Sequence, residues 1–316
     1  MQKSAYQKLT KYVSLNVFGM LGLSCYILAD TFFISNVLGS TGIAALNFSI
    51  PVFSIIIGTG LMIGIGGATR YSIFIAHNEE RKANSTFTTA MKFGIMIGMF
   101  FSILSIVGSE YLASLLGADG TTLPMTKTYL STILLFAPFF IINNIVLTFV
   151  RNDNAPKLSM IAMLIGSFSN IILDFIFLYP LGMGMFGAAF ATCLAPIISL
   201  TVLCMHFLRK NHQLKIIKNK IVFSSLLDIM QLGTSAFITE LSSAIVLITF
   251  NFAFLRLSGN LGVASYGIVA NIAIVVIAIF TGIAQGIQPL VSIEYGLNHQ
   301  KMLKLLSKLQ KVYLLS

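Results

Sequence analysis

Long apolar runs separated by short polar joints dominate the chain. Eight runs approach or exceed the roughly 20 residues a helix needs to span a bilayer: about 12–37, 44–69, 88–116, 124–149, 158–180, 186–208, 228–256 and 263–291. A ninth run begins near Met302 and reaches Ser316. Turn residues mark the joints at Gly39-Ser40-Thr41-Gly42, Gly117-Ala118-Asp119-Gly120, Pro180-Leu181-Gly182 and Ser258-Gly259-Asn260. The pattern predicts an all-α, polytopic transmembrane helical bundle.

Composition agrees with that reading. Hydrophobic residues make up 56% of 316 positions and charged residues only 9%, against roughly a quarter charged in soluble domains. The first run has no small-residue cleavage site and leads straight into further apolar segments, so it is read as a retained span. The net charge of +10 would suggest nucleic acid. However, of the 20 Lys and Arg, all but Lys127 and Arg256 fall at loops or helix ends on one side. Such a bias places the N-terminus in the cytoplasm of a multi-pass cell-membrane protein and removes nucleic acid as a partner. Cys25, Cys193 and Cys204 sit in apolar runs without metal-ligand spacing and are expected to be packed thiols. His77, His206, His212 and His299 lie near helix ends and build no expected site. With no zinc-protease motif, P-loop or dinucleotide fingerprint in a suitable context, neither an enzyme nor a cofactor is expected.

The chain repeats weakly across its longest polar connection, 209–225. A shift of 220 residues aligns Gly39 with Gly259, Gly42-Ile43-Ala44 with Gly262-Val263-Ala264, Gly66 with Gly286, Ser72 with Ser292 and Arg81 with Lys301. Two parallel halves of a transporter would produce such a register. The expected organisation is a six-helix lobe over 1–209, a cytoplasmic linker over 210–225 and an incomplete second lobe over 226–316. A complete second lobe would end near residue 430 by the same register (about 220 beyond the first). Lys301–Ser316 reads as amphipathic, so it is expected to lie along a surface.

Acidic residues inside apolar runs point to chemistry. Asp30 lies in the first segment, Asp174 in the fifth and Glu240 in the seventh. Asn170 precedes Asp174 by one helical turn and shares its face. At 1.5 Å per residue, Asp30 falls about 13 Å below the turn at Gly39, Asp174 roughly 9 Å below Pro180, and Thr192 roughly 12 Å below Gly184. Asp30, Asp174 and Thr192 therefore share a depth, with Asn170 one turn deeper. An all-oxygen cluster of that kind suits a proton or a hard cation such as Na⁺, and no further metal is expected. Glu240 is read as a site for cationic cargo or a proton, or else as a partner of Ser242 or Ser243. Asp153, within Arg151-Asn152-Asp153-Asn154-Ala155-Pro156, is expected to cap the fifth helix.

Three blocks carry a family resemblance. ADTFFISNVLGSTGIAALNFSIPVFSIIIGTGLMIGIGGATR resembles the first two helices of the multidrug and toxic compound extrusion (MATE) family. NIILDFIFLYPLGMGMFGAAFAT resembles its fifth and sixth helices, and SYGIVANIAIVVIAIFTGIAQGIQPLVSIEYG its eighth. The similarity is greatest to the DinF/MepA-like branch. It implies a two-lobe antiporter, taken as a monomer in membrane lipid, that expels small organic, often cationic, compounds against H⁺ or Na⁺. It also implies a cation site at Asp30, Asn170, Asp174 and Thr192. The alternatives are a fragment without transport activity and a lipid or polysaccharide flippase. Phe175 stands where many relatives have proline after the acid, and Gly19 and Gly22 are the only flexible points expected in the first segment.

Overall fold

A computed structural model describes residues 2–209, 212–219 and 223–315. Its helices are α1 (Gln2–Ala76), α2 (Glu80–Leu115), α3 (Leu123–Leu135), α4 (Ala137–Asn152), α5 (Pro156–Leu178), α6 (Gly184–Cys204), α7 (Phe223–Gly296) and α8 (Gln300–Leu315). At 1.5 Å per residue α1 would be roughly 110 Å long, far more than one crossing. Gly39 breaks it with φ 64° and ψ −156°, a left-handed φ that glycine adopts without a Cβ penalty. The arms are α1a (2–38) and α1b (40–76).

α7 likewise supplies two spans, Phe223–Phe250 (α7a) and Ile272–Gly296 (α7b). Gly233 of α7a packs on Met62, and Gly286 of α7b packs on Tyr12 and Val13. Both contacts lie toward the end of the bundle that holds the N-terminus, so the chain reverses between them. The side chains at the expected turn Ser258-Gly259-Asn260, at the repeat residues Gly262 to Ala264, and of Lys3, Arg256 and Lys311 are not described. Lys210 and Lys220 lie outside the described residues.

The fourth segment, expected as one helix, is two. α3 and α4 meet at 49°, with Pro138 in the first turn of α4. Proline cannot donate to the carbonyl four residues back and crowds the residue before it, which explains the bend. Among the described residues, six helices are long and apolar enough to cross a membrane, and the bent α3–α4 pair, taken as one span, makes a seventh. The break at Gly39 divides the first of these in two.

α2 begins at Glu80, two turns before its apolar run. Asn84, Thr86, Thr88 and Thr89 are buried there because residues 213–219 lie across them. The Lys215 N–H donates to Asn84 Oδ1 (2.7 Å), the Ile217 N–H to Thr88 Oγ1 (3.1 Å) and Asn219 Nδ2 to Thr89 Oγ1 (2.9 Å). The loop that composition marks as a polar tether is thus an extended strap.

α4 fills the centre of the first lobe. Ile141, Ile145 and Phe149 are fully buried against Ile56 and Ile63 of α1b and Phe87 of α2. The second lobe, from α7 onward, meets the first at two related places. A Cβ on Gly66 of α1b would run into the Ile229 carbonyl, and one on Gly233 into the Met62 carbonyl. A Cβ on Gly286 of α7b would lie 2.8 Å from Val13 Cα and 2.9 Å from the Tyr12 carbonyl. The register shift of 220 that pairs Gly66 with Gly286 also pairs Val13 with Gly233. Equivalent helices therefore cross at equivalent points, backbone on backbone.

Replacing Gly66 with Leu is expected to destabilise the chain by about 1–3 kcal/mol through overpacking. Gly120→Ala serves as the control, since nothing lies within 4 Å of its Cβ position. Thermal unfolding in detergent micelles reads the difference, and equal midpoints for the two variants would contradict the close crossing.

Candidate functional site

α1a, α5 and α6 bring the four expected residues together. α1a and α5 approach closely because Gly19 and Gly22 present no Cβ. At those positions a Cβ would lie 2.8 Å from Met163 Sδ and 2.6 Å from Leu164 Cδ2. Both glycines are therefore packing positions inside an unbroken helix, and the break in α1 is at Gly39. Two turns beyond Gly22, α1a presents Asp30 to the same interface.

Asn170 and Asp174 are 0% exposed, Thr192 3% and Asp30 6%. The amide orientation that satisfies its neighbours has Asn170 Nδ2 donating to Asp174 Oδ2 at 3.1 Å. Asn170 Oδ1 then accepts from the Thr192 N–H at 3.2 Å. The Thr192 hydroxyl lies 3.5 Å from the same amide. Asp30 and Asp174 are near enough to act on each other electrostatically. Each keeps a buried Oδ1 without a hydrogen-bond partner. Such oxygens are costly as bare charges, and a proton or small cation would satisfy them. Among the described residues, no group of three or more His, Cys, Asp or Glu is arranged to hold a metal ion.

Two tyrosines accompany the acids. Tyr26 and Tyr129 both lie within electrostatic reach of Asp30 and Asp174. Tyr26 stands one turn before Asp30, a spacing visible in the sequence. Tyr129 arrives from α3 and has no local signal.

Glu240 stands apart from this network, on α7a. Its Cβ would lie 3.5 Å from a Cβ built on Gly58 of α1b, and Tyr26 senses it as well as the acid pair. The Ser243 hydroxyl, one expected partner, donates instead to the Thr239 carbonyl at 3.0 Å. Of the three cysteines only Cys193 is buried, while Cys25 and Cys204 are exposed.

A second buried cluster lies at the basic end, where only a cap was expected. The N-cap of α5 is Ala155, without a side-chain bond. Asp153 is 5% exposed and serves another purpose. Its Oδ1 accepts from the Tyr71 hydroxyl at 2.8 Å, and its Oδ2 lies 2.7 Å from His206 Nε2. Oδ2 also accepts from the Gln213 N–H (3.0 Å) and the Leu214 N–H (3.4 Å). His206, expected to build nothing, thus joins a carboxylate that pins the strap. Burial alone would raise the Asp153 pKa. Hydrogen bonds from His206, Tyr71 and the Gln213 amide outweigh burial and hold the carboxyl below its usual range.

One surface depression of about 780 Å³ is lined by Asn78, Arg81, Lys82 and Asn219, among others. Another of about 340 Å³ is lined by Ser105, Thr132, Phe186 and Phe190, among others. Neither reaches the acid pair.

The MatE family model matches residues 16–176 and 235–313. The multidrug export protein MepA of Staphylococcus aureus (strain N315) is 29% identical over 307 residues, covering 95% of this chain and 67% of that protein. MepA of Staphylococcus saprophyticus is 29% identical over 279 residues, covering 88% of this chain and 62% of that protein. The chain thus spans 62–67% of the length of these relatives. A solved outward-facing structure of a multidrug resistance MATE family transporter superposes with a TM-score of 0.88 at 24% identity, over 96% of this chain and 67% of that one. A MOP superfamily transporter from Pyrococcus furiosus gives 0.86 at 24%, with the same coverage. These structures share the fold.

The depressed Asp153 pKa fixes the sign of a pH effect. Its hold on the strap is complete above the ordinary aspartate range and is lost as pH falls through the lowered value. Hydrogen exchange corrected for intrinsic rates should show the Gln213 and Leu214 amides losing protection on acidification. Asp153→Asn should weaken protection of the same amides at neutral pH. Protection that ignores both changes would show that the carboxylate does not hold the strap.

Proposed function

This chain belongs to the MatE family, and from that premise we propose that it exports organic, often cationic, compounds in exchange for H⁺ or Na⁺ by alternating access. The observation that carries the proposal is the Asp30–Asp174 pair, buried beside Asn170 and Thr192 with one oxygen of each acid unpartnered. Interhelical hydrogen bonds in membranes are worth about 0.6 kcal/mol, whereas each charge at mid-bilayer costs about 2.5–3.5 kcal/mol. Packing alone is therefore a weak reason to keep two acids here. The multidrug export role of the MepA relatives supports the cargo class.

In this reading the basic end faces the cytoplasm, with the N-terminus inside. Entry of H⁺ or Na⁺ removes one negative charge from the pair, relieves its internal repulsion and shifts the packing of α1a on α5 toward the other access state. Asn170 orients the Asp174 carboxylate, and Thr192 adds a neutral oxygen to the coordination. Glu240, on the opposite lobe, attracts the cationic group of the cargo. The ion site is built wholly from α1a, α5 and α6, so a single chain suffices for it.

Efflux of a fluorescent organic cation from membrane vesicles tests this, with the proton and sodium gradients collapsed one at a time. Collapse of the coupling gradient should stop efflux. Asp30→Asn and Asp174→Asn should each cut it by at least about tenfold, equivalent to about 1.4 kcal/mol, and Thr192→Val by less. Gradient-coupled efflux unchanged in both aspartate variants would overturn the proposal.

A further inference from the structure

Arg151 reads in the sequence as a loop cation of the basic end, yet it is 1% exposed and is among the largest fully buried side chains. It sits where the two lobes meet. Its Nη1 donates to Asn16 Oδ1 of α1a at 2.6 Å and to Gln285 Oε1 of α7b at 3.1 Å. Asn16 Nδ2 in turn donates to the Gly282 carbonyl at 3.0 Å. The next residue repeats the pattern. Asn152 Nδ2 donates to Gln288 Oε1 at 3.0 Å, and Gln288 Nε2 donates to Thr69 Oγ1 of α1b at 2.9 Å.

These hydrogen bonds share two properties. Each crosses or braces the junction between lobes, and each partner of the guanidinium is neutral. Arg151 Nε and Nη2 are buried without partners. A fully buried cation satisfied only in part carries a desolvation cost that a carboxylate partner would offset more fully. Water at an opened junction would satisfy the same N–H groups. Opening the junction would therefore recover part of that desolvation cost, as a reversible contact requires and a static core does not.

The surroundings suit movement. Gly282 and Gly286 let α7b lie directly on the backbone of α1a, and small residues at a crossing allow one helix to shift on the other. Beneath the amides an apolar seal of Leu9, Val13, Ile283, Ile287 and Leu306 completes the closure.

We propose that Arg151 and Asn152 of the first lobe and Gln285 and Gln288 of the second form a latch that shuts the lobes at the basic end. The latch parts whenever the acid-pair site opens to that end, a step that rests on the alternating-access reading above. It assigns to the α4 terminus and α7b a role in setting the balance between access states.

The test is a distance distribution by double electron–electron resonance on the full chain in lipid nanodiscs. Spin labels sit at Arg81→Cys and Lys301→Cys, both exposed, with the exposed Cys25 and Cys204 replaced by Ser. Gln285→Leu and Gln288→Leu should each raise the ratio of long to short distances roughly fivefold to thirtyfold, as loss of a buried hydrogen bond implies. Gln285→Glu should move it the opposite way, because a carboxylate would complete the pairing of Arg151. Thr128→Val, at the far end, should leave it unchanged.

A role confined to static packing would make Leu and Glu at position 285 act in the same direction, and that result overturns the latch. So do distances that none of the variants alters. No cargo or gradient is present, so these outcomes judge the latch whatever efflux shows. Absent efflux with shifted distances would count against the transport reading alone.

Discussion

Two carboxylates held at one depth in a dry helical bundle cannot both remain charged and unpartnered at low cost. That constraint accounts for much of the first lobe. It requires an amide beside Asp174, supplied one turn earlier by Asn170. It requires α1a to lie close enough to α5 for Asp30 to reach the same level, which Gly19 and Gly22 permit. It also leaves two buried oxygens whose demand a mobile ion can meet. In the proposed exchange, those unpartnered oxygens are what the arriving ion satisfies.

A similar partial satisfaction recurs where the lobes join. Arg151 has neutral partners and two N–H groups without any, while Asp153, two residues on, is bonded on both oxygens. The contrast separates two jobs. Asp153 fixes the strap, Tyr71 and His206 into one rigid end of the first lobe. Arg151 reaches across to α7b in a contact that can be given up. Rigid lobes with a separable junction are the mechanical requirement for rocking motion.

The helices were legible because apolar runs of spanning length have few other solutions, and Gly39 was legible as a joint. The four residues of the acid cluster were legible because depth follows from residue count along straight helices. Misreadings arose where distant chain segments decide. Arg151 resembles any loop cation until Asn16 and Gln285, far away in sequence, are seen to enclose it. Asp153 has the local spacing of a cap, but its partners come from α1b and from beyond α6. The polar start of α2 reads as loop because the strap that buries it lies more than a hundred residues downstream. Pro138 did signal the bend between α3 and α4, but the continuous hydrophobicity around it masked that signal.

In the proposed exchange, H⁺ or Na⁺ at the acid pair and bound cargo favour opposite access states, so each should weaken binding of the other. Equilibrium binding of a fluorescent organic cation to the purified chain, across pH and Na⁺ concentration, tests this most directly. The account predicts that apparent affinity weakens as the coupling ion rises, and that this dependence disappears when Asp30 and Asp174 are both changed to Asn. Affinity indifferent to both ions, or competition that survives the double substitution, would contradict it.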